Sequence, residues 1–220
     1  PAYVYLRDVR GMPEEEFASD DHPFAALYCS EGQVSVMRGE CNSEGRIIYP
    51  VMFDGEVAGW TARTIEIVES PTKKRVWNGR EWKSVGRAGK KWEDHRIPKW
   101  MHLPSMPKSS MLYNWDEAKK FDTLVLVEGP FDVHKTGLCA AGYFGERPSV
   151  HQVKLIKNSF DRVLWIPDRG IDLEGKAFLR VVDSISEACR LTIKKLEDYD
   201  DPGAATRWDI SNHIRKMLKP

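Results

Sequence analysis

The feature that most constrains the fold of this chain is an aliphatic stretch that runs directly into an acidic residue. Residues 124–127 read Leu-Val-Leu-Val, Glu128 follows them, and a Gly-Pro pair leads to Asp132, where a helix is predicted to begin. Aliphatic stretches at 162–166 and 191–193 are likewise followed by acids. Short apolar runs that are bounded by breaks of this kind are typical of buried strands.

Strands and helices alternate from residue 121 onward. We predict strands at 124–127, 138–141, 162–166 and 191–193, and helices at 132–136, 149–158, 174–188 and 209–218. This alternation is typical of a parallel sheet that is covered by helices on both faces. Because ligands of such sheets bind beyond the carboxyl ends of the strands, we expect the acids that follow the strands to share one edge of the sheet.

The first half of the chain has a different pattern, which we class as α+β. Residues 46–53 and 56–65 form a predicted hairpin around the turn signal Asp54-Gly55. The Gly- and Lys-rich stretch 70–99 lacks such a pattern and is predicted to be a loop. The fold class that we predict is therefore α/β, with an α+β subdomain before the parallel sheet. The predicted units are an N-terminal subdomain at 1–120 and an α/β domain at 121–220.

Charge is distributed unevenly along a chain whose formal net charge is zero. Residues 72–108 contain eleven Lys or Arg but only three Asp or Glu, and they hold four of the eight tryptophans. Basic side chains neutralise phosphates and indole rings stack on bases, so this segment is a candidate for binding single-stranded nucleic acid. A solvated surface loop with a few tryptophan anchors in the core is the alternative, and the sequence favours neither.

The acids at the predicted strand ends are candidate metal ligands. They are Glu128, Asp168, Asp172, Asp198, Asp200 and Asp201. Carboxylates without histidine or cysteine partners suit Mg²⁺ or Mn²⁺ rather than zinc. Alternatively, such acids cap the helices that follow, for which Asp132 and Asp172 are well placed. Three acidic positions in register favour the metal site, and the basic segment upstream favours phosphoryl transfer on a nucleic acid.

Three further observations narrow the class of protein. The four cysteines stand far apart without a CxxC pair, which argues against a zinc ribbon in these residues and suits a reducing compartment. No apolar run approaches the length of a membrane span, so we expect no membrane partner. Because the chain begins at Pro1 rather than at a methionine, we expect it to be a fragment of a longer protein.

The acids and their order resemble the TOPRIM domain, which DnaG-type primases, topoisomerases and several nucleases share. The resemblance rests on a strand that ends in Glu128-Gly129, on the helix-starting Asp132, and on a later acidic loop with Asp201-Pro202. Two departures stand out. The family's Asp-x-Asp is stretched here to the five residues from Asp168 to Asp172, and Gly203 stands where the family often has a second Asp. Either the loop carries a two-residue insertion or one aspartate is not a ligand.

The upstream half resembles DNA primases in particular. Residues 46–63 resemble the hairpin that precedes the TOPRIM domain of primases, and residues 98–104 resemble the family's Pro-Lys-Tyr-Leu-x-x-Pro segment. Tyr5-Leu6 with Arg10-Gly11 resembles the start of the catalytic core. The chain is most similar to bacteriophage-type relatives of DnaG. The resemblance implies the RNA polymerase domain of a DNA primase without its N-terminal zinc ribbon.

The resemblance also implies roles for individual residues. Glu128, Asp168 and Asp172 would be the catalytic acids, and together with Asp201 they would hold Mg²⁺ or Mn²⁺. The residues that would contact phosphates of the template or nucleotide are Arg10, Arg63, Lys99 and Lys108. The basic segment adds Lys73, Lys74, Lys90, Lys91 and Trp100 as candidate nucleic-acid contacts. The implied partners are a single-stranded DNA template and NTPs, a replicative helicase is left open, and the implied location is the cytoplasm of a bacterial cell.

Three functions are consistent with these features of the sequence. The first is template-directed synthesis of short RNA primers from NTPs, the second is a TOPRIM-type metal-dependent nuclease, and the third is a non-catalytic module that binds single-stranded DNA. The hairpin and the residues at 98–113 favour the first over the second, whereas the stretched Asp168–Asp172 loop keeps the third open. The chain is too short for the strand-gate domains of a topoisomerase.

Overall fold

The computed structural model describes residues 2–19, 22–29, 33–36, 39–42, 45–65, 75–77, 82–84 and 100–218. The elements of the first half are α1 (Ala2–Val4), a π-helix (Tyr5–Val9), α2 (Glu14–Phe17), β1 (Leu27–Cys29), β2 (Gln33–Val36), β3 (Gly39–Asn42), β4 (Arg46–Phe53), β5 (Glu56–Thr64), β6 (Arg75–Trp77), β7 (Trp82–Ser84) and β8 (Trp100–His102). The elements of the second half are a 3-10 turn (Lys108–Ser110), α3 (Trp115–Ala118), β9 (Thr123–Val127), α4 (Pro130–Thr136), β10 (Ala140–Gly142), α5 (Val150–Ser159), β11 (Arg162–Trp165), α6 (Lys176–Ser186), β12 (Arg190–Ile193), a second 3-10 turn (Pro202–Ala204) and α7 (Arg207–Leu218).

The first half is built on an antiparallel sheet with the strand order β1-β4-β5-β8. The predicted hairpin is confirmed, since β4 pairs with β5 and Phe53 lies opposite Glu56. Asp54 and Gly55 form the turn, both with positive φ, which asparagine-like residues and glycine tolerate best. Side chains alternate along β4, so that Tyr49 and its neighbours two residues away are buried on one face.

The second half contains the predicted parallel sheet, in the order β10-β9-β11-β12. Its central strands β9 and β11 are buried on both faces, which is why they read as continuous apolar runs. Val125 and Leu164 face one core, which also includes residues of α4 and α7. Leu126 and Trp165 face the other, which includes residues of α5 and α6. Helices therefore cover both faces, as the alternation of elements predicted.

The two sheets share one hydrophobic core across α4. Tyr49 of β4 and Phe131 of α4 belong to the same buried cluster, with ring centroids 5.7 Å apart. Trp100 of β8 packs on the same phenylalanine at 5.3 Å. Because Phe131 lies in the first turn of α4, this packing places the antiparallel sheet beside the residues that follow β9.

The prediction of a loop at 70–99 is wrong in part. β6 and β7 pair as an antiparallel hairpin, with Trp77 opposite Trp82. The sequence between them contains Asn78-Gly79, a strong hairpin signal between β-forming residues that the abundance of Gly and Lys obscured. Among the helices in the described ranges, none is long and apolar enough to cross a membrane.

Candidate active site

Two predicted acids lie side by side at the carboxyl edge of the parallel sheet. β9 and β11 are neighbours, with Leu126 opposite Trp165, and the N–H of Ile166 donates to the carbonyl of Leu126. Both strands leave the sheet in the same direction, so the side chains of Glu128 and Asp168 come within hydrogen-bonding distance of each other. The topology therefore brings together two acids that are forty residues apart in the sequence.

Asp132 joins a third segment to this edge. Its side chain is buried, and its Oδ2 accepts a hydrogen bond from the N–H of Gly129 at 2.8 Å. Its Oδ1 accepts from the N–H of Gly203 at 2.7 Å. Burial, together with the charges of Asp168 and Asp201, raises the pKa of Asp132 to about 7. Both Asp132 oxygens are thus engaged with backbone, one on each side of the site.

Asp201 lies at the start of the 3-10 turn 202–204. Its Oδ1 accepts a hydrogen bond from the N–H of Ala204 at 2.8 Å, which caps the turn. The carboxylate is close enough to the other acids to act on them. Burial raises the pKa of Glu128, Asp168 opposes this shift, and the charges of Asp132, Asp201 and Glu146 raise the pKa further. Glu128 therefore ionises less readily than an exposed glutamate does.

Asp172 has a different environment from Asp168. Its Oδ1 accepts a hydrogen bond from the N–H of Glu174 at 3.0 Å, just before α6 begins. This bond closes a turn two residues long, but it does not cap α6, whose N-cap residue is Gly175 and receives no side-chain hydrogen bond. Asp172 is also not among the described acids that act most strongly on Glu128 or Asp132. Its role as a metal ligand remains a prediction.

The acids fit a loosely held magnesium ion better than a closed metal cage. Among the described residues, no three His, Cys, Asp or Glu side chains are arranged closely enough to hold an ion on their own. Mg²⁺ keeps several of its waters and is usually held by one or two carboxylates together with phosphates of the substrate. A rim of hard oxygen donors matches that requirement. The assignment of Glu128, Asp168 and Asp201 as ligands remains a prediction.

Two predicted phosphate-binding arginines lie on the other side of Phe131. The guanidinium carbon of Arg10 lies 4.0 Å from the ring centroid of Phe131, and that of Arg63 lies 5.6 Å away. Arg63 also lies 5.3 Å from the ring of Trp100, a third residue predicted to contact nucleic acid. Aromatic faces attract guanidinium groups by cation–π interaction. The ring of Phe131 thus serves as a common support for both arginines.

These arginines lack anionic partners in the described part of the chain. Arg63 is only 9% exposed, and burial followed by the charge of Arg10 lowers its pKa although Tyr5 opposes the shift. The Nε atoms of both residues are buried and meet no hydrogen-bond acceptor within the described ranges. Among the described residues, neither forms an ion pair with Asp or Glu. Two neighbouring guanidinium groups in this state are suited to an anion supplied from outside, such as a phosphate.

Lys108 lies in a segment that α5 holds in place. It begins the 3-10 turn 108–110, and its side chain is exposed. Its carbonyl accepts a hydrogen bond from Nε2 of Gln152 at 2.9 Å. Its charge also acts on His102, whose pKa is lowered to about 4, mainly by burial and secondarily by Lys108. Lys108 therefore lies near β8 and the carboxyl edge of the parallel sheet.

Sequence reasoning missed two residues that organise the site. Phe131 was overlooked because an apolar residue in the first turn of a helix reads as ordinary core. Gln152 was overlooked because nothing in its sequence context indicates contact with residues 108–111. Five predicted basic residues, Lys73, Lys74, Lys90, Lys91 and Lys99, lie outside the described residues.

Comparisons with known proteins identify the fold. No protein-family model matches the chain, and no curated protein matches it. Among solved structures, a DnaG primase catalytic domain bound to ssDNA is 18% identical with a TM-score of 0.65, covering 99% of this chain and 70% of its own. A structure of the DnaG catalytic core is 17% identical with a TM-score of 0.66, covering 99% and 71%. The E. coli primase catalytic core is 18% identical with a TM-score of 0.64, covering 99% and 72%.

These matches extend over both sheets and over the candidate site between them. At 17–20% identity they concern the fold rather than the chemistry. The order of elements, the antiparallel sheet followed by the parallel sheet, is the one that the resemblance implied. The chain therefore has the fold of the catalytic core of DnaG-type primases.

Proposed function

We propose that this chain is the catalytic core of a DNA primase, which synthesises short RNA primers from NTPs on a single-stranded DNA template. The reaction is the attack of a 3′-hydroxyl on the α-phosphate of an NTP, with release of pyrophosphate. Its cofactor would be Mg²⁺ or Mn²⁺. Its location would be the cytoplasm of a bacterial cell, where such a template forms during replication.

One observation carries the proposal, namely that Phe131 separates an acidic patch from a basic one. The Cβ position of Gly203, beside Asp132 and Asp201, lies 3.3 Å from Cβ of Phe131. Arg10 stacks on the ring of the same residue. An enzyme that joins nucleotides needs carboxylates for the metal and cations for the phosphates within the length of one nucleotide. The fold shared with primase cores supports this interpretation.

Each group at the site has a task in this reaction. What a divalent ion supplies, when bound at Glu128, Asp168 and Asp201, is polarisation of the α-phosphate and compensation of charge on the leaving pyrophosphate. Arg10 and Arg63 would bind phosphate oxygens. Because both arginines are already stacked on aromatic rings and Arg63 is buried, little reorganisation would accompany phosphate binding.

Two other functions use the same residues. A nuclease would use the acids to cleave a phosphodiester, and a binding module would use only the basic residues. In a nuclease, Arg10 and Arg63 could also bind the phosphodiester, so the preference for a primase rests on the fold that the chain shares with primase cores. The binding module gives no reason for Glu128 and Asp168 to lie together at the sheet edge.

The experiment that tests the proposal is incorporation of radiolabelled NTPs on single-stranded DNA, first with Mg²⁺ and then with Mn²⁺. We expect short RNA products that depend on the template and the metal. Degradation of end-labelled DNA under the same conditions would support the nuclease instead. Binding of DNA without either activity would support the non-catalytic module.

The variant Glu128→Gln tests whether the acids carry the chemistry. It removes one negative charge at nearly constant shape, so we expect primer synthesis to be abolished while the affinity for single-stranded DNA stays within about twofold. Fluorescence anisotropy with labelled DNA measures the affinity, and gel analysis of the RNA products measures synthesis. Asp161→Asn, at the end of the sheet where β11 begins, is the matched control. Normal synthesis by the Glu128 variant would remove this residue from the site.

A further inference from the structure

The carboxyl group of Asp132 connects the two segments that carry Glu128 and Asp201. Gly129, which donates its N–H to Asp132 Oδ2 at 2.8 Å, directly follows Glu128. Gly203, which donates to Asp132 Oδ1 at 2.7 Å, lies two residues after Asp201. One buried side chain therefore holds the backbone of both proposed ligands, although more than seventy residues separate them in the sequence.

Helix capping explains only one of these two hydrogen bonds. The bond from Gly129 is the reach-back half of a capping box at the start of α4. The bond from Gly203 crosses to a loop that lies outside α4 and leads into α7. A residue needed solely to start a helix requires no such partner. The second bond thus indicates a task at the site rather than in α4 alone.

The glycine at position 203 is part of the same arrangement. A Cβ atom there would lie 2.9 Å from Asp132 Oδ1 and 3.2 Å from Asp201 Oδ1. A contact of 2.9 Å is closer than real side chains come, so any larger residue would displace a carboxylate. The space that another side chain would need is filled by Asp132.

We propose that Asp132 is a positioning residue that sets the distance between Glu128 and Asp201. This inference rests on the proposed function, because it concerns the residues that would hold the divalent ion. Asp132 itself would not be a ligand, since both of its oxygens already accept hydrogen bonds from backbone N–H groups. Its effect on the ion would be exerted through the two segments that it joins.

Two variants break this connection from opposite sides. Asp132→Asn keeps the shape but presents an NH₂ group to one of the two N–H donors, so one hydrogen bond is lost. Gly203→Ala keeps Asp132 but pushes its Oδ1 away. The control is Gly145→Ala, at a glycine that follows β10 and has open space around its Cβ position. Having two variants keeps the test valid if one of them fails to fold.

Binding of Mn²⁺ provides a readout that does not depend on catalysis. Titration followed by the electron paramagnetic resonance of free Mn²⁺ should show that Asp132→Asn and Gly203→Ala each weaken the affinity roughly 10–100-fold, as is typical for residues that orient metal ligands. Gly145→Ala should bind as the unmodified chain does. The double variant should lose little more Mn²⁺ affinity than either single variant does, because both substitutions break the same connection. Unchanged Mn²⁺ affinity in folded single variants, with only a lower melting temperature, would overturn the proposal.

Hydrogen exchange separates a positioning residue from a direct ligand. If Asp132 keeps its backbone partners, the amides of Gly129 and Gly203 stay protected when Mg²⁺ is added to the unmodified chain. If Mg²⁺ draws the carboxylate away as a ligand, exchange at Gly203 becomes faster and the proposal fails. The amide of Ala205, which donates to the carbonyl of Pro202 at 3.1 Å, lies in the same loop and serves as the internal reference.

The outcomes distinguish this inference from the proposed function. If the unmodified chain binds Mn²⁺, and the two variants bind it more weakly, the positioning role holds even when no primers are made. If the unmodified chain makes primers and the variants bind Mn²⁺ as tightly as it does, the primase assignment stands and the positioning role is wrong.

Discussion

At the scale of single residues, burial in α4 drives two ionisable groups toward their neutral forms. Asp132 and His134 lie two residues apart, and both are buried. Burial disfavours charge, so it raises the pKa of the carboxyl group and lowers that of the imidazole. For His134 the result is a pKa of about 3, with smaller contributions from Arg207 and His22. The ring accepts or donates one hydrogen bond, with the hydroxyl of Tyr113 at 2.7 Å.

The neutral His134 predicts a loss of stability in acid. An unfolded histidine titrates near pH 6.5, so between about pH 6.5 and pH 3 the unfolded chain binds a proton that the folded chain does not. The free energy of unfolding therefore falls as the pH falls through this window. Urea unfolding at a series of pH values should show a flatter slope for His134→Gln than for the unmodified chain. The raised pKa of Asp132 makes the free energy of unfolding change with pH in the opposite direction. This contribution is present in both proteins, so it cancels when their slopes are compared.

Exposed His151 provides the control for this prediction. His151→Gln should leave the pH dependence of the unfolding free energy unchanged. Equal slopes for His134→Gln and the unmodified chain between pH 3 and 6.5 would show that the buried imidazole does not govern acid stability.

The two aspartates of the stretched loop should respond differently to amidation. Asp168→Asn removes a carboxylate that faces Glu128 and should weaken Mn²⁺ binding and stop primer synthesis. Asp172→Asn alters a hydrogen bond to the backbone of the turn before α6 and should cost about 0.5–1.5 kcal/mol of stability while sparing the metal. Calorimetric titration with Mn²⁺ and thermal unfolding measure the two effects. Undiminished affinity in Asp168→Asn would argue for the binding-only module.

At the scale of elements, the first turn of α5 both caps itself and holds another segment. Oγ of Ser149 accepts from the N–H of Gln152 at 3.1 Å, and Oε1 of Gln152 accepts from the N–H of Ser149 at 2.8 Å. Nε2 of Gln152 also donates to the carbonyls of Lys108 and Met111 at 2.9 and 2.7 Å. The segment that carries Lys108 is therefore positioned through its main chain.

Replacing Gln152 by leucine should release this segment. Buried carbonyls would lose their donor, so we expect a cost of about 1–3 kcal/mol in the free energy of unfolding. If Lys108 contacts phosphates, the affinity for single-stranded DNA should also fall. Urea unfolding and fluorescence anisotropy measure the two quantities. Lys154→Leu, on the exposed side of the same helix, is the control, and equal behaviour of the two variants would refute the role of Gln152.

At the scale of the whole molecule, several contacts keep the two sheets in one orientation. The carboxylate of Asp116, in α3, accepts hydrogen bonds from the N–H groups of Asp54 and Gly55 at the hairpin turn, each at 2.9 Å. Arg207 of α7 pairs with Glu16 of α2 and donates to the carbonyl of His134 at 2.8 Å. These contacts and the shared core keep the arginines of the first half beside the acids of the second.

The basic segment 72–108 should add a salt-dependent contribution to DNA binding by the whole molecule. Simultaneous replacement of Lys73, Lys74, Lys90 and Lys91 by glutamine should lower the affinity for single-stranded DNA. The logarithm of the association constant falls as the logarithm of the salt concentration rises. For each phosphate that the variant no longer neutralises, this slope should become less steep by roughly 0.7. Anisotropy titrations between low and moderate salt measure both. Unchanged affinity and slope would identify the segment as merely solvated.

Most strands and helices of the second half, and the edge of the sheet at which the acids lie, can be read from the sequence alone. Aliphatic runs such as 124–127 identify parallel strands because both of their faces are buried, and Asp54-Gly55 identifies its hairpin because few residues adopt those backbone angles. Such signals are local, so they can be read without knowing what packs against them.

Which residues act together could be seen only in the folded chain. The approach of Asp132 to Gly203, the support of Arg10 and Arg63 by Phe131, and the hold of Gln152 on residues 108–111 all join distant parts of the chain. The hydrogen bond of Asp172 to the N–H of Glu174 likewise depends on how the loop before α6 turns. A side chain's partners across such distances are set by sheet order and core packing, and a single sequence without its fold does not contain that information in any local pattern.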